Sequence, residues 1–186
     1  MRVLRSCAAT PIARWRACST ADMGQDLTVE VDLRLEAPEG RAVEGGPYFR
    51  SRTANPGNGI IGGTSAGFWV QLASSGQVRV LRLHPQATVA FTGVPSAHDP
   101  AAFHRLVASA SGRNLQVAQD GRLLEFDAGG TRTSTVDLAP AWETATPVGH
   151  NNGSAGIAFS AAGNRDQAGG QEARNIRVLR YRPLVP

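Results

Sequence analysis

Val-Ala-Ser-Ala-Ser-Gly-Arg-Asn-Leu-Gln-Val-Ala-Gln-Asp-Gly-Arg-Leu-Leu-Glu-Phe, residues 107–126, is the stretch from which the fold is read. Three short runs rich in Val, Leu and Phe are separated by Ser-Gly-Arg-Asn at 111–114 and Gln-Asp-Gly-Arg at 119–122. Asp-Gly between apolar runs is a hairpin signal, because both central residues of that turn need positive φ. The stretch therefore reads as a strand, turn, strand, turn, strand meander. Its one apolar face needs a second sheet to cover it.

Outward from there the alternation continues. Leu27, Val29, Val31, Leu33 and Leu35 alternate with Thr28, Glu30, Asp32, Arg34 and Glu36, the period-two pattern of a half-exposed strand. Extended runs are expected at 48–53, 68–73, 77–83, 88–92, 135–138, 155–160 and 173–181, with 37–47 a loop and Ser74-Ser75-Gly76 closing a second hairpin. No segment sustains a 3.6-residue period. The expectation is all-β: a two-sheet antiparallel jelly-roll sandwich over residues 24–182, with 1–23 as a loosely ordered arm in which Trp15 docks and 183–186 as a tail.

With 186 residues, 41% apolar and 18% charged, the chain is long enough for one such domain, and its 21 glycines and 11 prolines suit many turns. All 19 basic residues are arginine and the formal charge is +4. The arginines are scattered among acids without a helix-turn-helix, RNA-binding or zinc-finger pattern, so nucleic acid is not an expected partner. Cys7 and Cys18 have no His or Cys cluster with them, and neither a metal site nor a disulfide framework is expected. Arg5, Pro11 and Arg14 interrupt the apolar character of the N-terminus, so no signal peptide is expected there. No apolar run approaches the ~18 residues of a membrane span.

Five pieces in order carry a resemblance: Gly-Gly-Pro-Tyr-Phe-Arg-Ser-Arg at 45–52, Gly-Phe-Trp-Val-Gln-Leu at 67–72, the run from Phe103 to Gly121, Gly-Ser-Ala-Gly-Ile-Ala-Phe at 153–159 and Ala-Arg-Asn-Ile-Arg-Val at 173–178. Together they resemble the 3-keto-disaccharide hydrolase domain family, a branch of the concanavalin A-like lectin/glucanase superfamily that also holds laminin G-like domains. The resemblance implies a jelly roll meeting carbohydrate, and chemistry on sugars already oxidised at C3. There a base removes the C2 hydrogen, the aglycone leaves C1 and water adds, with a divalent metal or cationic donor steadying the enediolate oxygen. A non-catalytic glycan-binding module and a laminin G-like interaction domain are the alternatives, and substrate, metal and oligomeric state stay open.

Tyr48, Arg50 and Arg52 fall on one face of an alternating strand, as do Trp69 and Gln71 on theirs; an aromatic beside donors and acceptors is sugar-site chemistry. Tyr48, Arg52, Trp69 and Gln71 are the expected substrate contacts, and Arg50 with His104 the expected catalytic pair, His104 by elimination. His84, His98 and His150 lie at turns without ligand spacing. Glu30, Asp32 and Glu36 miss the Glu-x-Asp-x-x-Glu pattern of laminarinase-type glycosidases by one position, and read as a solvated or Arg-paired strand surface. The glycine-rich segment 57–67 lacks the Gly-Lys-Ser/Thr of a phosphate loop and reads as a rim loop. Asn151-Asn152-Gly153 and Asn164-Arg165-Asp166 read as turns in preference to calcium ligands.

Overall fold

The computed structural model describes residues 2–3, 18–20, 26–37, 42–51, 67–83, 87–92, 98–138, 154–161 and 170–184. Among them there is no helix, and the strands run β1 (Arg2–Val3), β2 (Cys18–Thr20), β3 (Leu27–Leu35), β4 (Val43–Ser51), β5 (Phe68–Ala73), β6 (Val78–Arg82), β7 (Ala87–Phe91), β8 (His104–Ser111), β9 (Asn114–Gln119), β10 (Arg122–Leu123), β11 (Phe126–Ala128), β12 (Thr131–Thr133), β13 (Val136–Asp137), β14 (Ser154–Ala161) and β15 (Gln171–Arg180). Sheet A has the order β1-β15-β3-β8-β9-β10, with β13 also on β9; sheet B has β12-β11-β7-β6-β5-β4-β14-β2. These pairings are antiparallel throughout. The inward residues Leu27, Val29, Val31 and Leu33 of β3 and Leu106, Ala108 and Ala110 of β8 pack with Phe49, Phe68, Val70 and Leu72 of sheet B into one core.

The expected jelly-roll sandwich is therefore present, and the central stretch lies within it with one difference. Its first two runs pair as β8 and β9, but the third divides: β10 stays on sheet A for two residues, and after Glu125 the chain crosses to β11 in sheet B. Phe126 is fully buried in the core, so the crossing delivers the meander's last apolar residue to the interior from the other layer. Residues 43–47, read as loop, begin β4. Gly45 and Gly46 permit this close fit: a Cβ on Gly46 would lie 1.9 Å from the Val70 carbonyl oxygen, a distance no side chain tolerates. Within the segment read as an arm, residues 2–3 and 18–20 form edge strands of the two sheets. Trp15, Arg52, His84, His150, Cys7 and the segments 57–66, 151–153 and 164–166 lie outside the described residues.

Candidate functional site

Sheet B shows its outer face through β4–β7. Because Phe68, Val70 and Leu72 point inward, Trp69 and Gln71 point out; on β6 Val78 and Val80 point in and Arg79 and Leu81 out; on β7 Ala90 points in and Phe91 out. Two zones result. At one end Tyr48, Trp69, Leu81, Leu83 and Ala158 form a second apolar cluster, and both aromatic rings are completely buried. The Trp69 indole N–H donates to the Gly46 carbonyl at 3.1 Å. These rings thus consolidate the face, and their burial leaves no ring surface on which a sugar could stack.

The other zone is polar, with Gln71 buried, Glu44 and Arg79 partly exposed and Phe91 exposed. Strand register places Phe91 opposite Arg79 and Arg79 opposite Gln71, while Asp127 of β11 stands opposite Phe91 and Arg132 of β12 opposite Asp127. At ~4.8 Å per strand, the three steps from β7 to β4 cover ~14 Å. Glu44 of β4 closes the row: its carboxylate accepts from Arg79 Nη2 at one oxygen and from Gln71 Nε2 at the other. Burial pushes the Glu44 carboxyl up, and Arg79 only partly pulls it back. Two polar atoms remain buried without a hydrogen-bond partner among the described residues, Gln71 Oε1 and Arg79 Nε. Beside them Phe91 is 43% exposed, an unusual state for so large an apolar side chain.

The structure brings Tyr48, Trp69 and Gln71 together on this face, as the alternation suggests. Arg50 is not with them. From Tyr48 to Ser51 β4 advances three residues while its partner advances two, from Gly156 to Ser154, so β4 carries a bulge. Arg50 takes φ +56° there and its side chain is fully buried, donating from Nη2 to the Gly112 carbonyl of the β8–β9 turn at 2.6 Å. It ties sheet B to sheet A. Burial lowers its pKa to about 10, with Asp26 opposing the shift.

His104 opens β8 on sheet A, and the structure does not bring it to the sheet B face. Its Nδ1 meets Asp120 Oδ2 and its Nε2 the Asp99 carbonyl, each at 2.8 Å. Both partners accept, so the ring is fully satisfied only as imidazolium, which has no lone pair with which to take a proton. Among the described residues no cluster of three or more His, Cys, Asp or Glu is placed to hold a metal ion. Glu44 and His104 already have both their polar atoms bonded within the protein. The described residues thus do not fit a metal.

Glu44, Arg79 and Phe91 complete the row, and sequence reading passes over all three. Arg79 and Phe91 could have been found as the outward members of alternating runs; Glu44 could not, because Gly-Gly-Pro after it signals a turn.

No protein-family model matches the chain. No curated protein matches it either. Among solved structures it is similar to carbohydrate binding module CBM66 from Bacillus subtilis, at 14% identity and TM-score 0.53, over 90% of this chain and 96% of that one. A Bacillus subtilis protein of unknown function with a galectin-like fold gives 9% identity and TM-score 0.53, over 89% and 76% of the two chains. The metal-free carbohydrate recognition domain of Emp46p gives 11% identity and TM-score 0.52, over 89% and 87%. At such identities the likeness is one of fold. The chain is an antiparallel jelly-roll sandwich, similar in fold to these domains.

Proposed function

We propose that this chain binds carbohydrate on the outer face of sheet B, along the row Glu44–Gln71–Arg79–Phe91. The observation that carries the reading is the exposed ring of Phe91 standing opposite the partly exposed side chain of Arg79. A sugar hydroxyl can accept from the partly exposed Arg79 guanidinium. The C–H face of the same ring then covers the aromatic. The Glu44 carboxylate fixes both polar side chains before any ligand arrives, which lowers the ordering cost of binding. The carbohydrate-binding domains among the similar folds support the same reading.

A second reading has one observation in its favour: Glu44, its pKa raised, lies against Arg79. In a 3-keto-glycoside hydrolase of the kind the sequence resembles, Glu44 in place of His104 would take the C2 proton. The C–H electron pair would move toward the C3 ketone, whose oxygen Arg79 would steady. The C3 ketone then reforms as C1=C2 forms and the C1–O bond breaks, with a proton going to the leaving oxygen, and water adds back across C1 and C2.

Glycan-array screening followed by calorimetry tests the first reading, with Phe91→Ala and Arg79→Ala as probes. Phe91→Ala should weaken binding about tenfold, the value of one lost aromatic contact, without loss of folding because the ring is exposed. Unchanged affinity in both variants would refute the site. Release of aglycone from a 3-keto-glucoside, lost in Glu44→Gln, would instead establish the enzyme. Binding without release leaves the glycan-binding module.

A further inference from the structure

The outer face of sheet A has a different chemistry. Register places Arg174 of β15, Asp32 of β3 and Arg105 of β8 in one row, and Arg177, Glu30 and Val107 in the next. After β15 the chain turns back over this face: Arg182 N donates to Thr28 Oγ1 at 3.1 Å, and Ser109 Oγ donates to the Arg182 carbonyl at 2.5 Å. The Arg182 guanidinium thereby lands on Glu30 Oε1, while Arg105 Nη2 reaches Glu30 Oε2 at 2.7 Å. The carboxylate side chain is 3% exposed, and the two arginines it holds are 51% and 53% exposed. Nearby the Arg174 guanidinium sits 3.7 Å from the centre of the Phe103 ring, and Arg177 is exposed.

Arg105, Arg174 and Arg182 are thus already held in place, so much of the rotamer entropy that a free arginine loses on binding has been lost during folding. The face also carries five arginines, 34, 105, 174, 177 and 182, interleaved with the carboxylates Glu30, Asp32 and Glu172, with Glu36 following Arg34 at the end of β3 and Asp120 beside Arg105.

We propose that the outer face of sheet A is a docking surface for a polyanionic polysaccharide, with sulfate groups received by Arg105, Arg174, Arg177 and Arg182. Guanidinium forks match a tetrahedral oxyanion through paired N–H groups. Rows one and two strands apart offer them at ~5 and ~10 Å spacing along a flexible chain. A folded protein partner would need an apolar centre for its interface, and these two rows offer only Val107, itself buried. Single-stranded nucleic acid would want bases stacked on aromatics, and the Phe103 ring is already engaged by the guanidinium groups of Arg174 and Arg34. The surface lies on the opposite sheet from the sugar row and does not depend on it.

The test uses dextran sulfate at low ionic strength with the Phe91→Ala protein, so that the proposed sugar row contributes nothing. Dextran sulfate should bind and neutral dextran should not. Arg177→Glu should weaken dextran sulfate about tenfold or more; Arg122→Glu, the same charge change on an exposed arginine at the β10 edge, should change it less than about twofold. Arg177→Gln supplies the same comparison if the charge reversal disturbs folding. Equal losses at 122 and 177 would overturn the proposal, since only net charge would then be acting. Tighter binding of a single-stranded DNA of matched charge would overturn the choice of occupant.

Discussion

Acidification should loosen the corner that joins residues 98–104 to the β9–β10 turn. The imidazoles of His98 and His104 stack with centroids 4.4 Å apart at 26°. For His104, burial opposes the charged form, but the bonds to Asp120 and Asp99 outweigh it and raise its pKa above the ordinary 6.5. His98 has no hydrogen-bond partner on either nitrogen among the described residues. Burial first, and the neighbouring His104 charge second, lower its pKa below 6.5, against the pull of Asp120 and Asp99. Because the folded chain resists a proton on His98 that the unfolded chain accepts, this stability is present above pH 6.5 and is lost as pH falls toward the folded pKa of His98. His104 acts oppositely: its contribution is complete below 6.5 and is lost as pH rises through its raised value. The corner is therefore most stable near pH 6.5. A second charge 4.4 Å from the first costs about 1 kcal/mol in water and about 4 kcal/mol at an effective dielectric of about 20. The His98 nitrogens are buried and the His104 side chain is 15% exposed, so the lower figure is a floor, and about 1 kcal/mol corresponds to ~2–4 °C in Tm for a chain of this size. The assay is thermal unfolding at pH 6.5 and pH 5, comparing the natural chain with His98→Phe, which keeps a stacking ring and takes no proton. Carboxylate titration is common to both and cancels in the difference. The natural chain should lose at least a further ~2–4 °C on acidification. Equal losses in the two proteins, or a His98 that titrates at or above His104 by NMR, would refute the reasoning.

Two further outcomes follow from the β4 strand. Arg50→Met should cost about 2–3 kcal/mol in urea unfolding, the worth of a buried charged hydrogen bond and the orphaned Gly112 carbonyl, yet leave glycan affinity unchanged; a selective loss of affinity at full stability would return Arg50 to the binding face. Gly46→Ala should cost roughly 3 kcal/mol or more, because its Cβ meets the Val70 carbonyl oxygen and β4 must pull away from β5; a neutral substitution by the same assay would mean that the two strands separate without penalty.

How much was legible differs between the fold and the site. The alternation of β3 and the turn signals at 111–114 and 119–122 are properties of neighbours in sequence, and they specify strands and two covered faces wherever the chain goes. Glu30, Asp32 and Glu36 were legible as a solvated or Arg-paired surface for the same reason: the structure pairs Glu30 with Arg105 and Arg182 and Asp32 with Arg174, and Glu36 is exposed. The burial of Glu30 was not legible, because the segment that lays Arg182 over it comes from the far end of the chain.

The local pattern of side chains by itself determined that this protein is an antiparallel sandwich, since period-two apolar faces can be hidden from water in few other ways. Tertiary structure alone decided which outward residues meet. A single extra residue in β4 turns Arg50 into the interior, Tyr48 and Trp69 are covered, and positions 71, 79 and 91 become one row by strand register, to which Glu44 of β4 bonds. Register across strands is set by packing over the whole core, and no local stretch of sequence contains that information.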